Sequence, residues 1–333
     1  MCNSLSRWSI LILALLLPFF SASAAESYQP LRDSEVIALV AGAALPANIV
    51  HEVAARGLDF TPDEPFRSQL KSIGADTTIL SALKTAKRSP TGTQGEKSHQ
   101  VFLAHLNAAA RLINTQDYDA ATVELNAAID CGSDSPSVGF IVGELLRAEE
   151  RYSEAVAVYA EIIKQNPSFP EAHTKLSYVL YRTGESDDAL HEAKLAIAQN
   201  RNSAEAHKNT GLAFDSLRKF AAAATEYQEA LRLKPDYAIV HYDLGLLFYN
   251  KRDFPSSIAA YQKSIALDPT CAQCHESLGL ALKESGDLNS AIQELREAKR
   301  LDPKRDPTNQ AAQLERLAQS IQSQSAQAQT NPN

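Results

Sequence analysis

The sequence predicts an all-α solenoid, and three observations support that fold class. A unit of 34 residues repeats six times without a gap, starting at positions 102, 136, 170, 204, 238 and 272. Every unit has small residues at its positions 8 and 20 and a large apolar residue at position 11. Four of the six units have proline at position 32. A period of this length is typical of solenoids built from stacked supersecondary units.

The repeated positions explain why each unit should form two helices joined by a short turn. Small residues at positions 8 and 20 let the two helices approach closely, and large residues at positions 11, 17 and 24 fill the space between neighbouring pairs. Proline at position 32 cannot continue a helix, so it ends the second helix. The small residues at position 8 are Ala109, Gly143, Ser177, Gly211, Gly245 and Gly279.

This register resembles that of the tetratricopeptide repeat family over residues 102–305. The six units are 102–135, 136–169, 170–203, 204–237, 238–271 and 272–305. The resemblance implies a right-handed superhelix of antiparallel helix pairs, with a concave groove lined mainly by the first helix of each pair. The sequence departs from the family at position 4, where the favoured tryptophan is histidine in five units. These are His105, His173, His207, His241 and His275.

Residues 1–24 are predicted to be a cleavable signal peptide. Arg7 is followed by an apolar run of about 13 residues from Trp8 to Phe20, and small residues precede the expected cut after Ala24. A membrane-spanning helix needs about 20 residues, so an uncleaved anchor is the less favoured alternative. The sequence therefore predicts a secreted or periplasmic protein without a membrane span after cleavage. The net charge of −8 argues against nucleic acid as a partner.

The segments around the repeats have separate predictions. Residues 26–88 carry four sets of helix start and stop signals, which predict a separate small module of four short helices. Residues 89–101 are polar, with proline and glycine, and are predicted to be a linker. Residues 306–321 are predicted to be an amphipathic helix that caps the solenoid, and residues 322–333 a disordered tail.

The motif Cys271-Ala272-Gln273-Cys274-His275 has the CxxCH spacing of c-type haem attachment. Covalent haem at Cys271, Cys274 and His275 is one interpretation. It is disfavoured because His275 is at repeat position 4, where other units have histidine without cysteines. A local disulfide between Cys271 and Cys274 is favoured in an oxidising compartment, and free thiols are the remaining alternative. No cofactor is predicted otherwise.

The sequence contains no recognisable catalytic or metal-binding set. It lacks a GxSxG elbow, a phosphate-binding glycine loop and an HExxH motif. The position-4 histidines lie on different helix pairs, too far apart to share one zinc ion, whose ligands sit at about 2 Å. We therefore expect no metal site and no enzymatic activity, and we interpret these histidines as packing residues in place of tryptophan.

The concave groove is the predicted functional site, because the resemblance implies that positions 2, 5, 9, 12 and 13 face it. Tyrosine and arginine dominate binding hot spots, so such a face suits a peptide or protein segment. The predicted function is protein–protein interaction or scaffolding in the bacterial envelope. The alternatives are a haem or redox protein using residues 271–275, and an accessory subunit of an envelope enzyme or export complex. The candidate groove residues are Phe140, Arg147, Glu171, Tyr178, Tyr181, Arg182, Lys208, Asp215, Tyr242, Tyr249 and Asn250.

Overall fold

The computed structural model describes residues 29–88, 97–131, 135–169 and 171–303. The predicted signal peptide, capping helix and tail lie outside these ranges, as does most of the predicted linker. The described residues form sixteen α-helices, with isolated bridges but no strand. The all-α solenoid prediction is confirmed. None of the described helices is both long enough and apolar enough to cross a membrane.

Four short helices form the N-terminal module, as the start and stop signals predict. Two of them begin at aspartates whose side chains cap the first turn: Asp63 accepts a hydrogen bond from the Phe66 amide, and Asp76 from the Ile79 amide. Proline occupies the first turn of the second helix. The bounds are α1 Asp33–Ala41, α2 Pro46–Arg56, α3 Glu64–Ser72 and α4 Thr77–Thr85.

Twelve further helices provide two per repeat unit. The first of them starts at Lys97. Residues 97–101, which were predicted to belong to the linker, are therefore helical. Phe102 and Leu103 are buried, and His99 lies 2.9 Å from Asp33 of α1, which anchors this extra turn. The bounds are α5 Lys97–Asn114, α6 Tyr118–Asp130, α7 Ser135–Ala148, α8 Tyr152–Gln165, α9 Ala172–Thr183, α10 Ser186–Gln199, α11 Ala204–Ser216, α12 Phe220–Leu233, α13 Ala238–Asn250, α14 Phe254–Leu267, α15 Ala272–Ser285 and α16 Leu288–Leu301.

The chain divides into two compact units, one ending at Ala213 and the other starting at Phe214. We call them the N-terminal unit and the C-terminal unit. The sequence suggested that the N-terminal module forms a compact unit of its own. Instead, the module belongs to the same compact unit as the first repeats. Helix α1 packs against α5 and α7, and α3 packs against α5.

Close approach of the two helices within a unit depends on the small residue at position 8. A Cβ atom on Gly143 would lie 2.6 Å from the ring of Tyr159, and one on Gly245 would lie 2.5 Å from the ring of Tyr261. Both tyrosines are at position 24 of the same unit and are fully buried. The small residues at position 8 therefore accommodate the large ones at position 24, as the register predicts.

Gly245→Ala should destabilise the C-terminal unit although alanine is the better helix former. Overpacking against Tyr261 costs about 1–3 kcal/mol, whereas the propensity gain is at most about 1 kcal/mol. The double variant Gly245→Ala/Tyr261→Leu reproduces the Ala109–Leu125 pair of the first unit. Its loss of unfolding free energy should be smaller than the sum of the losses in the two single variants. Urea titration followed by circular dichroism measures all four proteins, and strictly additive effects would contradict this packing relation.

Candidate binding groove

The N-terminal module covers the predicted groove of the first repeats. Every residue of α1 is buried, including those on the faces that a surface helix would leave in water. Gly42, which follows α1, approaches Phe140 so closely that a Cβ atom would lie 2.5 Å from its ring. Phe140 itself is fully buried and lies 5.3 Å from the ring of Phe169. The module therefore occupies the surface on which Phe140 was expected to meet a partner.

Helix α2 extends this contact to the end of the third repeat through amide and hydroxyl groups. Asn48 donates a hydrogen bond from Nδ2 to Ser203 Oγ at 3.0 Å, and its Oδ1 lies 3.5 Å from Asn200 Nδ2. All three residues are buried. Ser203 Oγ in turn accepts from the Ala206 amide in the first turn of α11. The module is thus tied by polar contacts to the turn between α10 and α11.

Buried charges gather in the first turns of α9 and α11. Lys175 Nζ lies 3.1 Å from Glu205 Oε1, and both residues are buried. Burial, followed by the charge of Glu205, raises the pKa of Glu171 to about 7, and Lys175 opposes that rise. Burial also raises the pKa of Glu52 in α2, whose charge acts on Glu171. Glu171 therefore belongs to a buried carboxylate cluster rather than to an open binding surface.

The predicted groove residues differ in how much of each side chain can meet a partner. Four of the eleven are buried, contrary to the expectation of an open groove, and five are half-buried. Two are exposed. The buried residues are Phe140, Glu171, Lys208 and Tyr242; the half-buried ones are Arg147, Tyr178, Tyr181, Asp215 and Tyr249; the exposed ones are Arg182 and Asn250.

A cluster of aromatic and cationic side chains in the N-terminal unit combines the exposed Arg182 and the half-buried Tyr152 and Tyr178 with the buried Lys208. The Arg182 guanidinium lies 4.2 Å from the ring centroid of Tyr152, and its Nη1 donates to Tyr178 Oη at 3.0 Å. Lys208 Nζ lies 5.2 Å from the ring centroid of Tyr178. Cation–π contacts of this kind hold the rings and the guanidinium in place. We call Tyr152, Tyr178, Arg182 and Lys208 the tyrosine–arginine cluster.

Arg147 and Tyr159 show how the helices beside this cluster are fixed. Glu144 is buried, and its Oε1 accepts a hydrogen bond from the Tyr159 hydroxyl at 2.6 Å. Its Oε2 lies 2.9 Å from Arg147 Nη2. The carboxylate of Glu144 raises the pKa of Arg147 further above its usual value. Arg147 is therefore committed to an internal ion pair and contributes less to partner binding than its groove position suggests.

In the C-terminal unit, Tyr242 is a core residue. Its ring lies 5.6 Å from that of Tyr261, and its hydroxyl accepts a hydrogen bond from Gln273 Nε2 at 2.7 Å. Tyr249 lies edge-on to Phe254 with ring centroids 5.7 Å apart. Burial raises the pKa of Asp215. Replacing Tyr242 would therefore disturb packing as well as any binding surface.

The CxxCH motif does not fit covalent haem in this structure. The sulfur atoms of Cys271 and Cys274 are bonded to each other. Both ring nitrogens of His275 have protein partners: Nδ1 lies 2.6 Å from Glu294 Oε2, and Nε2 lies 3.3 Å from the Pro269 carbonyl oxygen. His275 is buried among the helices. The thiols and the imidazole that a haem requires are thus engaged within the protein.

Three of the position-4 histidines brace the two helices of their units, a role that sequence reasoning missed. His105 Nδ1 lies 2.7 Å from Glu124, and His173 Nδ1 lies 2.6 Å from Glu192, which repeats the geometry of His275 and Glu294. Each glutamate is at position 23 of the same unit. The sequence contains a signal for this pairing, since four of the five units with histidine at position 4 have glutamate at position 23.

The described residues contain no cluster of three or more histidine, cysteine, aspartate or glutamate side chains able to hold a metal ion. The buried carboxylates around Glu171 do not form such a cluster.

Comparison with protein families identifies the repeats. Models described as tetratricopeptide repeat match residues 146–209 and 242–306, and a model described as TPR repeat matches residues 216–251. The chain is a tetratricopeptide repeat protein. The family resemblance seen in the sequence is confirmed, and the matched segments include α8 to α10 and α12 to α16 in full and the two ends of α11. No curated protein matches the chain.

Several solved structures have a similar fold. PilW, described as a widely conserved type IV pilus biogenesis factor, aligns with a TM-score of 0.56 at 13% identity, covering 66% of this chain and 99% of PilW. PilF of Pseudomonas aeruginosa aligns with a TM-score of 0.51 at 17% identity, covering 62% of this chain and 95% of PilF. MamA aligns at 27% identity with a TM-score of 0.41, covering 49% of this chain and 95% of MamA. At these identities, PilW and PilF show the fold alone.

Proposed function

We propose that this tetratricopeptide repeat protein is a non-catalytic scaffold of the bacterial envelope that binds a segment of a partner protein. Repeat proteins of this family serve protein–protein interaction, and the fold offers extended helix faces for it. The observation that supports the proposal best is the tyrosine–arginine cluster, in which Arg182 is exposed and Tyr152 and Tyr178 are half-buried although the N-terminal module covers the neighbouring groove positions. A binding surface with exposed arginine beside tyrosine rings has the features of an interface hot spot.

The cluster favours a partner segment that carries acidic side chains beside apolar ones. Arg182 is exposed, and its guanidinium lies against tyrosine rings, so one edge remains free to receive a carboxylate. The rings of Tyr152 and Tyr178 offer apolar area next to that charge.

Export is part of the same proposal. The apolar segment that follows Arg7 has the pattern of a signal peptide, and a disulfide between Cys271 and Cys274 is typical of an oxidising compartment. Expression in a Gram-negative host followed by fractionation and intact mass measurement tests this directly. Processing after Ala24 supports export, and full-length protein in the cytoplasmic fraction contradicts it.

Replacing the cluster should weaken partner binding at least tenfold without loss of helix. Peptides are selected from a display library on the immobilised full chain, and their dissociation constants are measured by fluorescence anisotropy. The test variant is Tyr178→Ala/Arg182→Ala, which removes a ring and the exposed guanidinium. Tyr118→Ala serves as the matched control, because Tyr118 is a half-buried tyrosine on a second helix, away from the groove positions.

Two results would sink the groove assignment. One is unchanged affinity in the double variant with unchanged circular dichroism. The other is an equal loss of affinity in Tyr118→Ala, which would indicate a general effect on folding. Tyr242 is left intact in this design because its ring belongs to the core.

A further inference from the structure

We propose that Cys271 and Cys274 form a thiol–disulfide exchange site that reacts with cysteine-containing protein segments. This inference goes beyond the scaffold function and does not depend on it. It is based on three features of the C-terminal unit: the two sulfur atoms occupy different environments, one of them lies at a helix start, and an apolar cavity adjoins them.

The two cysteines are inequivalent. Cys274 is 3% exposed and belongs to the core cluster that includes Tyr261 and Leu278. Its Sγ lies 3.5 Å from Ser264 Oγ. Cys271 is half-buried at the edge of that cluster. An external thiolate can therefore reach the sulfur of Cys271, whereas that of Cys274 is shielded.

The start of α15 favours a thiolate at Cys271 once the disulfide opens. Cys271 is the N-cap residue, and its Sγ accepts a hydrogen bond from the Cys274 amide at 3.1 Å. Amides of a first turn and the positive end of a helix stabilise negative charge, which makes a cysteine at this place both a nucleophile and a good leaving group. The nearby Asp268 carboxylate is engaged by the amide and hydroxyl of Thr270.

A cavity of about 200 Å³ lies beside the two sulfur atoms. Ile239 and Tyr242 provide its apolar wall, Gln273 lies at its polar side, and Asp268 lines it as well. Ile239 is 45% exposed, which is unusual for a large apolar residue in this chain. The cavity has room for one apolar side chain next to a partner cysteine, so it selects cysteine segments with an apolar neighbour.

The reaction with a partner dithiol proceeds in two displacements. The partner thiolate attacks Cys271 Sγ, forms a mixed disulfide and expels Cys274 as a thiolate, which takes up a proton. The second partner thiol, deprotonated, then attacks the partner sulfur of the mixed disulfide and expels Cys271 as a thiolate. The partner dithiol loses two electrons and two protons and becomes a disulfide. The Cys271–Cys274 disulfide gains the two electrons and two protons and becomes two thiols.

Single-cysteine variants of the full chain test the order of reactivity. Cys2 and Cys131 are first replaced with serine, so that only the pair remains. In that background, Cys274→Ser leaves Cys271 free, and Cys271→Ser leaves Cys274 free. The rate of reaction with oxidised glutathione should be at least tenfold higher for the Cys274→Ser variant. Equal rates, or faster reaction of Cys274, would overturn the proposal.

Two further measurements separate exchange from a structural disulfide. The pair should be reduced by dithiothreitol in the folded protein with unchanged circular dichroism, and reduction only after unfolding in urea would overturn the proposal. Ile239→Asn, which removes the apolar wall without adding charge, should slow reaction of Cys271 with a disulfide of a leucine-cysteine peptide at least fivefold, while the rate with oxidised glutathione stays within twofold. Equal slowing with both disulfides, or slowing with neither, would overturn the assignment of the cavity.

Discussion

Glu35→Gln should destabilise the N-terminal module by about 3 kcal/mol, because removing one partner of a buried ion pair leaves the other charge uncompensated. Arg56 and Glu35 are almost inaccessible, and Arg56 Nη2 lies 3.2 Å from Glu35 Oε1. In the variant, the buried Arg56 guanidinium loses its nearest carboxylate partner. Glu52 Oε2 lies 3.9 Å from Arg56 Nη1 and compensates part of the arginine charge. We therefore expect a destabilisation near the lower end of the range for such pairs.

Hydrogen–deuterium exchange of the peptide that contains α1 measures this change locally. A destabilisation of about 3 kcal/mol corresponds to roughly a hundredfold loss of protection for amides that exchange through opening of the module. The double variant Glu35→Leu/Arg56→Met removes both charges and should regain most of the protection. Glu297→Gln, in the exposed ion pair with Arg300, should leave exchange of α1 unchanged.

Protection that stays at the wild-type level in Glu35→Gln would contradict the role of the ion pair. Equal loss in the single and double variants would indicate that side-chain shape, rather than charge, limits stability at this place.

The repeat geometry could be predicted from the sequence because its determinants are local. Gly245 and Tyr261 are sixteen positions apart in one unit, and the same spacing recurs along the chain. The histidine–glutamate brace is equally local, with His173 and Glu192 nineteen residues apart. In a periodic sequence, the residues that make such a contact recur at the same positions of several units, so each unit supports the interpretation of the others.

Occupation of the groove could not be predicted in the same way. The bond between Asn48 and Ser203 joins residues 155 positions apart, and no periodic pattern links them. The groove positions were assigned on the assumption that the concave face is open. One signal did exist: residues 36–41 form an unbroken apolar run, which needs cover on all sides and therefore a second surface beyond the module itself.

The module changes which residues are available for function. Phe140 has an internal partner, whereas Tyr178 and Arg182 stay accessible in the same unit. The N-terminal unit therefore shows both an occupied and an accessible part of its predicted groove. Polar contacts and buried carboxylates occur where α2 meets the repeats, and the titration of those carboxylates links the stability of this contact to pH.

Glu171→Gln should stabilise the N-terminal unit at pH 8 by about 3 kcal/mol and have little effect at pH 4.5. Burial and the charge of Glu205 raise the pKa of Glu171 to about 7 from an ordinary value of 4.5. An acid with a higher pKa in the folded chain binds more protons when folded between these two values, so its favourable contribution is present at low pH and lost as the pH rises through 7. Each unit of pKa difference corresponds to about 1.4 kcal/mol. Glutamine imitates the protonated acid, so the variant avoids that loss.

Urea titrations of the full chain at pH 4.5, 6, 7 and 8 measure the effect as a difference between variant and wild type. Asp59 has a pKa raised to about 6 by burial, so part of the decline with pH should persist in Glu171→Gln. Asp119→Asn, at an exposed position of α6, is the matched control and should follow the wild-type curve. Parallel curves for Glu171→Gln and wild type would show that Glu171 ionises freely and that the carboxylate cluster does not couple pH to the contact of the module with the repeats.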